Sequence, residues 1–198
     1  MVGYADGFQT LNNYTANSDS AGIYIYDSHN IIQGYSGVSM TGIDMTGIGL
    51  YLGLWNTAGS NGIVADTGNI NLQAINNTTS FYSIYSRIPL TASSGSITLS
   101  GAGYYGITMD NTYASSAITA SGNINIIAYA TGGYGLSIAT GYANEINSTA
   151  GSIIFSAYTG GAGANYAISE GSTTSISAAN SIIFQKILKV FQKIQLQK

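Results

Sequence analysis

Side chains able to do acid–base chemistry are few in this chain of 198 residues. There are eight carboxylates, Asp6, Asp19, Asp27, Asp44, Asp66, Asp110, Glu145 and Glu170, one histidine, His29, and one basic residue ahead of Lys186, namely Arg87. Carboxylates that cleave polysaccharides act in pairs, or jointly around calcium, so they must project from neighbouring backbone positions. Here they are scattered. The one loose pairing, Asp110 with Glu170, falls about two repeats apart, roughly 10 Å at the spacing of stacked strands. A lone histidine and a lone arginine assemble neither a nucleophilic triad nor a histidine metal site, and both are expected to be solvated turn residues. The absence of cysteine removes thiolate metal sites, disulfides and cysteine nucleophiles together. The glycine-rich stretches Gly101-Ala102-Gly103, Gly132-Gly133 and Gly160-Gly161-Ala162-Gly163 lack the following Lys-Ser/Thr of a phosphate cradle and read as turns. The expected catalytic, cofactor-binding and metal-ligating residues are therefore none, and no cofactor is implied.

Aromatic residues do recur at one spacing. Tyr82, Tyr105, Tyr134 and Tyr166 each stand two residues before an aliphatic one, in Tyr82-Ser83-Ile84, Tyr105-Gly106-Ile107, Tyr134-Gly135-Leu136 and Tyr166-Ala167-Ile168. Rings at one repeat position stack, which serves packing or presents an aromatic strip to carbohydrate or protein. Because side chains two apart on a strand share a face, the aliphatic partner gives these tyrosines core parity, which predicts packing first and a contact ladder second. The matching N-terminal segments are expected at Gly22-Ile23-Tyr24-Ile25 and Gly53-Leu54.

The elements that must carry this ladder follow from a second recurring block, a glycine or its substitute, a polar residue, then apolar–polar–apolar. It reads Gly42-Ile43-Asp44-Met45, Gly68-Asn69-Ile70-Asn71-Leu72, Gly95-Ser96-Ile97-Thr98-Leu99, Gly122-Asn123-Ile124-Asn125-Ile126, Gly151-Ser152-Ile153-Ile154-Phe155 and Asn180-Ser181-Ile182-Ile183-Phe184. Its first isoleucines step by 27, 27, 27, 29 and 29 residues. Alternation of period two is the strand signal. A third apolar mark, at Ile63, Leu90, Ile118, Ile146 and Ile176, precedes each new block, so every repeat holds three short strands. Such strands cannot bury their apolar faces as isolated hairpins, but coiling the chain stacks each repeat on the next and makes one core.

The predicted architecture is all-β: a parallel β-helix, or β-solenoid, of about six coils of 27–29 residues with three short strands each. Right-handed coiling follows from the handedness of parallel crossovers. Six coils span on the order of 30 Å at the inter-strand spacing. Ile43, Ile70, Ile97, Ile124, Ile153 and Ile182 are expected to form an inner column, with Asp44, Asn71, Thr98, Asn125, Ile154 and Ile183 outside. Residues 1–40 are expected to be a degenerate first coil or coils, with Phe8, Ile23, Ile25, Ile31, Ile32 and Val38 inward. Residues 41–184 are the repeats. Residues 185–198 hold four of the five basic residues and place Ile187, Phe191 and Ile194 on one helical face, which predicts an amphipathic basic tail or cap, with membrane contact a minor alternative.

Charged residues make up 7% of the chain and the net charge is −3, with no basic stripe before the tail, so nucleic acid is not an expected partner. The first residues lack the basic and apolar segments of a secretory signal, as an internal segment of a longer protein would. The blocks Gly68-Asn69-Ile70-Asn71-Leu72 and Gly95-Ser96-Ile97-Thr98-Leu99, spaced by Ser/Thr/Ala/Gly turns, resemble the repeat region of filamentous-haemagglutinin-like exoproteins, the two-partner-secretion adhesins, and autotransporter passengers are similar. The likeness covers roughly residues 40–184. It implies a right-handed β-helix carried to the bacterial surface or secreted as part of a larger exported protein, binding host-cell or bacterial surface glycans or proteins without catalysis, with self-association through open solenoid ends. The competing expectation is a polysaccharide-processing β-helix, a lyase or tailspike-like depolymerase.

Overall fold

The computed structural model describes residues 3–5, 9–12, 21–26, 31–45, 47–53, 62–110, 117–138, 144–160, 167–170 and 174–186. Within these residues the chain visits three parallel sheets in strict rotation, each gaining one strand per turn, and the strand counts that follow are of the described residues. Sheet A has seven strands, Gly3–Ala5, Ile31–Gly34, Gly62–Ala65, Leu90–Ala92, Ile118–Ala120, Asn144–Ser148 and Thr174–Ala178. Sheet B also has seven, Gln9–Asn12, Gly37–Asp44, Asn69–Asn76, Ile97–Gly103, Ile124–Ala130, Ile153–Thr159 and Ile182–Lys186. Sheet C has six, Ala21–Tyr26, Ile48–Gly53, Tyr82–Ser86, Tyr105–Met109, Leu136–Ile138 and Ile168–Glu170. This is a β-solenoid, and its strand count departs slightly from six even coils because the expected degenerate region already contributes strands to all three sheets.

Alternation decides which side chains enter the core. In Asn69–Asn76, Ile70, Leu72, Ala74 and Asn76 are buried while Asn69, Asn71, Gln73 and Ile75 face outward. Three inner columns run along sheet B: Val38/Ile70/Ile97/Ile124/Ile153, then Met40/Leu72/Leu99/Ile126/Phe155, then Gly42/Ala74/Gly101/Ala128/Ala157. Ile182 and Phe184 continue the first two in register with Ile153 and Phe155 but are 41% and 54% exposed, so the enclosed place expected of Ile182 is not reached at this rung. Sheet A supplies Ile32/Ile63/Leu90/Ile118/Ile146/Ile176, as the third apolar mark predicts. Sheet C supplies Ile23/Leu50/Ile84/Ile107/Leu136/Ile168. Large side chains fill the middle and small ones the corner between sheets B and C. A Cβ on Gly101 would lie 2.3 Å from Ser83 Oγ and 2.7 Å from Ile107 Cγ1, so the corner leaves no room for more.

Two expected positions are corrected. Ile43 pairs with Ile75, not Ile70, and is 40% exposed; Val38 is the rung partner of Ile70 and is fully buried. Consequently Asp44 lies beside Asn76, and Ser39 takes its place in the outer column next to Asn71. The cause is two overlapping glycine-led patterns within the single strand Gly37–Asp44, of which the second happens to preserve the 27-residue step. In sheet C, Gly49-Leu50 is the counterpart of Ser83-Ile84, and the expected Gly53-Leu54 is displaced: Gly53 pairs with Tyr26 and Leu54 lies outside the described residues. Phe8, His29, Tyr166 and residues 187–198 also lie outside the described residues. Gln185 and Lys186 continue the last strand of sheet B.

Rungs are held by side chains as well as by main chain. Asn69 Oδ1 accepts the Ser96 N–H at 2.8 Å, Ser96 Oγ accepts the Asn123 N–H at 3.0 Å, and Asn123 Oδ1 accepts the Ser152 N–H at 2.9 Å. Ser181 Oγ meets Ser152 Oγ at 2.9 Å. The polar residue that follows each block glycine therefore stitches its rung to the next one.

Candidate binding pocket on the tyrosine column

Sheet C turns its outer face toward a pocket of about 300 Å³ walled by Tyr82, Tyr85, Tyr105 and Tyr134, with Thr108, Ser137 and Asp110. Two local features aim these side chains. Ser83 and Ile84 are both buried, so two consecutive inward residues interrupt the alternation and turn Tyr82 and Tyr85 outward on either side of them. The interruption arises where the chain bends from sheet B into sheet C, at a column of small residues that includes Gly49, Ser83, Gly106 and Gly135. A Cβ on Gly106 would lie 2.1 Å from the Gly135 carbonyl oxygen, so the bend is tight enough to require a residue without one. Ser83 Oγ donates to the Gly106 carbonyl and ties the bend to the next rung.

Asn76 fixes the approach to Tyr82. It is 4% exposed, and its Nδ2 donates to the carbonyls of Gly47 and, at 3.1 Å, Tyr82, while Oδ1 accepts from the Thr78 N–H and Oγ1, each at 2.7 Å. All its polar capacity is thus spent on shaping the turn.

Three of the four tyrosines expected to stack do so, the fourth, Tyr166, lying outside the described residues. Tyr82 and Tyr105 stack with centroids 4.9 Å apart, and Tyr105 and Tyr134 with centroids 6.4 Å apart. These rings are half-buried, because the bend breaks the parity on which burial in the core was expected. A second column adds Tyr51 and Tyr85, stacked at 5.3 Å, and Tyr85 also meets Tyr82 at 5.1 Å. Since the faces lie largely against one another, the column offers ring edges and hydroxyls to the pocket.

Sequence reasoning missed the ion pair beside it. Arg87 is expected in a solvated turn, yet its side chain is 17% exposed and donates to Asp110 Oδ2 from Nε at 2.9 Å and from Nη2 at 2.6 Å. Tyr85 OH donates to the same oxygen, Arg87 Nη2 also reaches the Tyr85 hydroxyl, and the guanidinium lies 4.9 Å from the Tyr85 ring centre. The signal was available: Arg87 and Asp110 each stand three residues after the inner aliphatics Ile84 and Ile107, which are rung partners. Opposite charges at one offset in adjacent rungs must meet.

Burial, then the hydrogen bond to Asp110 and the charge of Asp110, holds the Tyr85 phenol well above the ordinary tyrosine range. Burial, then the neighbouring Tyr105, Asp110 and Tyr134, raises Tyr82 as well. Both phenols stay protonated, Tyr85 with its O–H given to Asp110.

Asp44, Asp66 and Glu145 are engaged away from this pocket, and Asp6, Asp19 and Asp27 lie outside the described residues. Asp44 Oδ1 accepts the Gly47 N–H at 2.8 Å, Asp66 Oδ2 accepts Gln33 Nε2 at 2.8 Å, and Glu145 Oε1 accepts Asn147 Nδ2 at 3.4 Å. Glu170 pairs with Ile138, which pairs with Met109, the residue before Asp110, so the two carboxylates expected as a loose pair belong two strands apart. Among the described residues no three of His, Cys, Asp or Glu are grouped to hold a metal ion, and no helix is long and apolar enough to cross a membrane. No protein-family model matches the chain, and no curated protein or solved structure matches it either.

Proposed function

We propose that this chain is a structural and adhesive rod segment of a bacterial surface-exposed or secreted adhesin, working by extension and multivalent contact without a reaction. The observation that carries this reading is the tyrosine-walled pocket itself, set on a stiff stack of rungs and containing one carboxylate already bound to an arginine. A glycan-cleaving site needs a second carboxylate across the scissile bond, and among the described residues the one acid of the wall is engaged by Arg87 and Tyr85. The repeat blocks' resemblance to filamentous-haemagglutinin-like exoproteins supports an exported location, as part of a larger protein. Self-association through the solenoid ends belongs to the same reading: Ile182, Ile183 and Phe184 in the last strand of sheet B are exposed.

The test is retention of the purified chain on host-cell and bacterial surfaces, with soluble glycans as competitors, alongside a reducing-end assay on polysaccharides. Saturable retention without release of reducing ends is expected. Polysaccharide cleavage that disappears in Asp110→Asn would overturn the adhesive reading in favour of a depolymerase.

A further inference from the structure

We infer that the tyrosine pocket takes a neutral, polyhydroxylated ring, one pyranose unit of an uncharged glycan, and turns away glycans carrying carboxylates. The inference rests on the adhesive reading and specifies the ligand of that same pocket.

Three features select this class. The first is the chemistry of the wall. Apart from Asp110, every polar side-chain group lining it is a hydroxyl, on Tyr82, Tyr85, Tyr105, Tyr134, Thr108 and Ser137. Hydroxyls both donate and accept, and so match the run of vicinal hydroxyls on a sugar.

The second is charge. Asp110 carries the only formal charge of the wall, and Arg87, which balances it, does not line the pocket. A uronate or sialate would give up the hydration of its carboxylate at a wall whose described lining offers no cation to receive it, Arg87 being spent on Asp110. A cationic ligand fares no better. Arg87 already donates twice to the carboxylate and lies over the Tyr85 ring, so an incoming ammonium would compete with a tethered guanidinium for both. Cages for alkylammonium groups also enclose the cation with ring faces, whereas the rings here stack at 29° and 25° and spend their faces on each other.

The third is size and direction. About 300 Å³ stands at the small end of ligand pockets and suits one or two sugar rings. Tyr82, Tyr105 and Tyr134 come from successive rungs, so the pocket runs along the rod, and a linear glycan can lie parallel to the axis with neighbouring units against neighbouring rungs.

The experiment is a calorimetric titration of the full chain with neutral oligosaccharides (cello-, chito- and manno-hexaose) and with hexagalacturonate and sialyllactose. At least one neutral probe is expected to bind, with affinity on the order of millimolar for a single shallow site. Tyr105→Ala and the gentler Ser137→Ala are expected to weaken it about tenfold, with circular dichroism unchanged in the second, and Tyr129→Ala on the outer face of sheet B to leave it unchanged. Equal or tighter binding of the acidic probes overturns the inference, as does neutral binding indifferent to both pocket variants. If the chain is retained on cells but binds no neutral probe, the inference falls and the adhesive reading stands; loss of retention as well removes both.

Discussion

At the scale of single residues, Arg87 and Asp110 form the one ion pair among the described residues, and their low exposure decides how it behaves. Removing the guanidinium leaves a shielded carboxylate without its partner. Arg87→Ala should therefore destabilise the fold by about 2–3 kcal/mol, measured by urea denaturation, because an uncompensated charged group loses more than the bond was worth. Combining Arg87→Leu with Asp110→Asn should recover most of that loss, and a double variant as unstable as the single one would show that packing, not charge, is at stake. The phenols give a pH dependence of definite sign. Unfolded tyrosine ionises at its ordinary 10.0, before Tyr82 and Tyr85 do in the fold, so the folded chain retains protons that the unfolded chain releases. Their contribution to stability is complete below pH 10.0 and is lost as pH rises through the higher folded values. Denaturation midpoints should stay level with respect to these groups up to that pH and fall above it, and Tyr85→Phe should make the fall shallower.

At the scale of elements, the strands of sheet B separate inner from outer isoleucines by register alone. Ile97 is fully buried, and Ile97→Ala should cost about 2–5 kcal/mol through lost burial and the cavity left behind. Ile75 looks as hydrophobic in the sequence but is 42% exposed, so Ile75→Thr should change stability by no more than about 0.5 kcal/mol. Thermal denaturation of the pair reads out the register directly. The period, the three strands per repeat and the inner columns from Ile70 onward were legible because burial on one face and hydrogen bonding above and below force like residues into like positions. What was not legible shows where that logic loosens. Strand Gly37–Asp44 contains two glycine-led patterns, and spacing cannot choose between them when a coil is lengthened in its turns. The outward turn of Tyr82 was hidden because a parity argument assumes an unbroken strand, and the bend at Ser83 breaks it. The ion pair needed a comparison across rungs at equal offset, which a search for clustered acids does not make.

At the scale of the whole molecule, a solenoid is close to one-dimensional, so its parts are exchangeable as long as register is kept. Since Ile97 pairs with Ile124, deleting residues 97–123 joins Ser96 to a strand that can take the vacated place. The shortened chain should keep its β circular dichroism and cooperative unfolding while losing retention on glycans, because Tyr105, Thr108 and Asp110 leave with the deleted rung. A deletion offset by one residue should instead throw inner side chains outward and yield aggregated or unfolded protein. The Asn69–Ser96–Asn123–Ser152 stitching has a direction: each side chain accepts the amide of the rung that follows it in the chain. Each turn therefore holds out an oxygen that the amide of the following turn fills, so the face turned toward the carboxyl end is a ready-made acceptor row and the opposite face a donor row, and two such stacks can match end to end in one polarity alone.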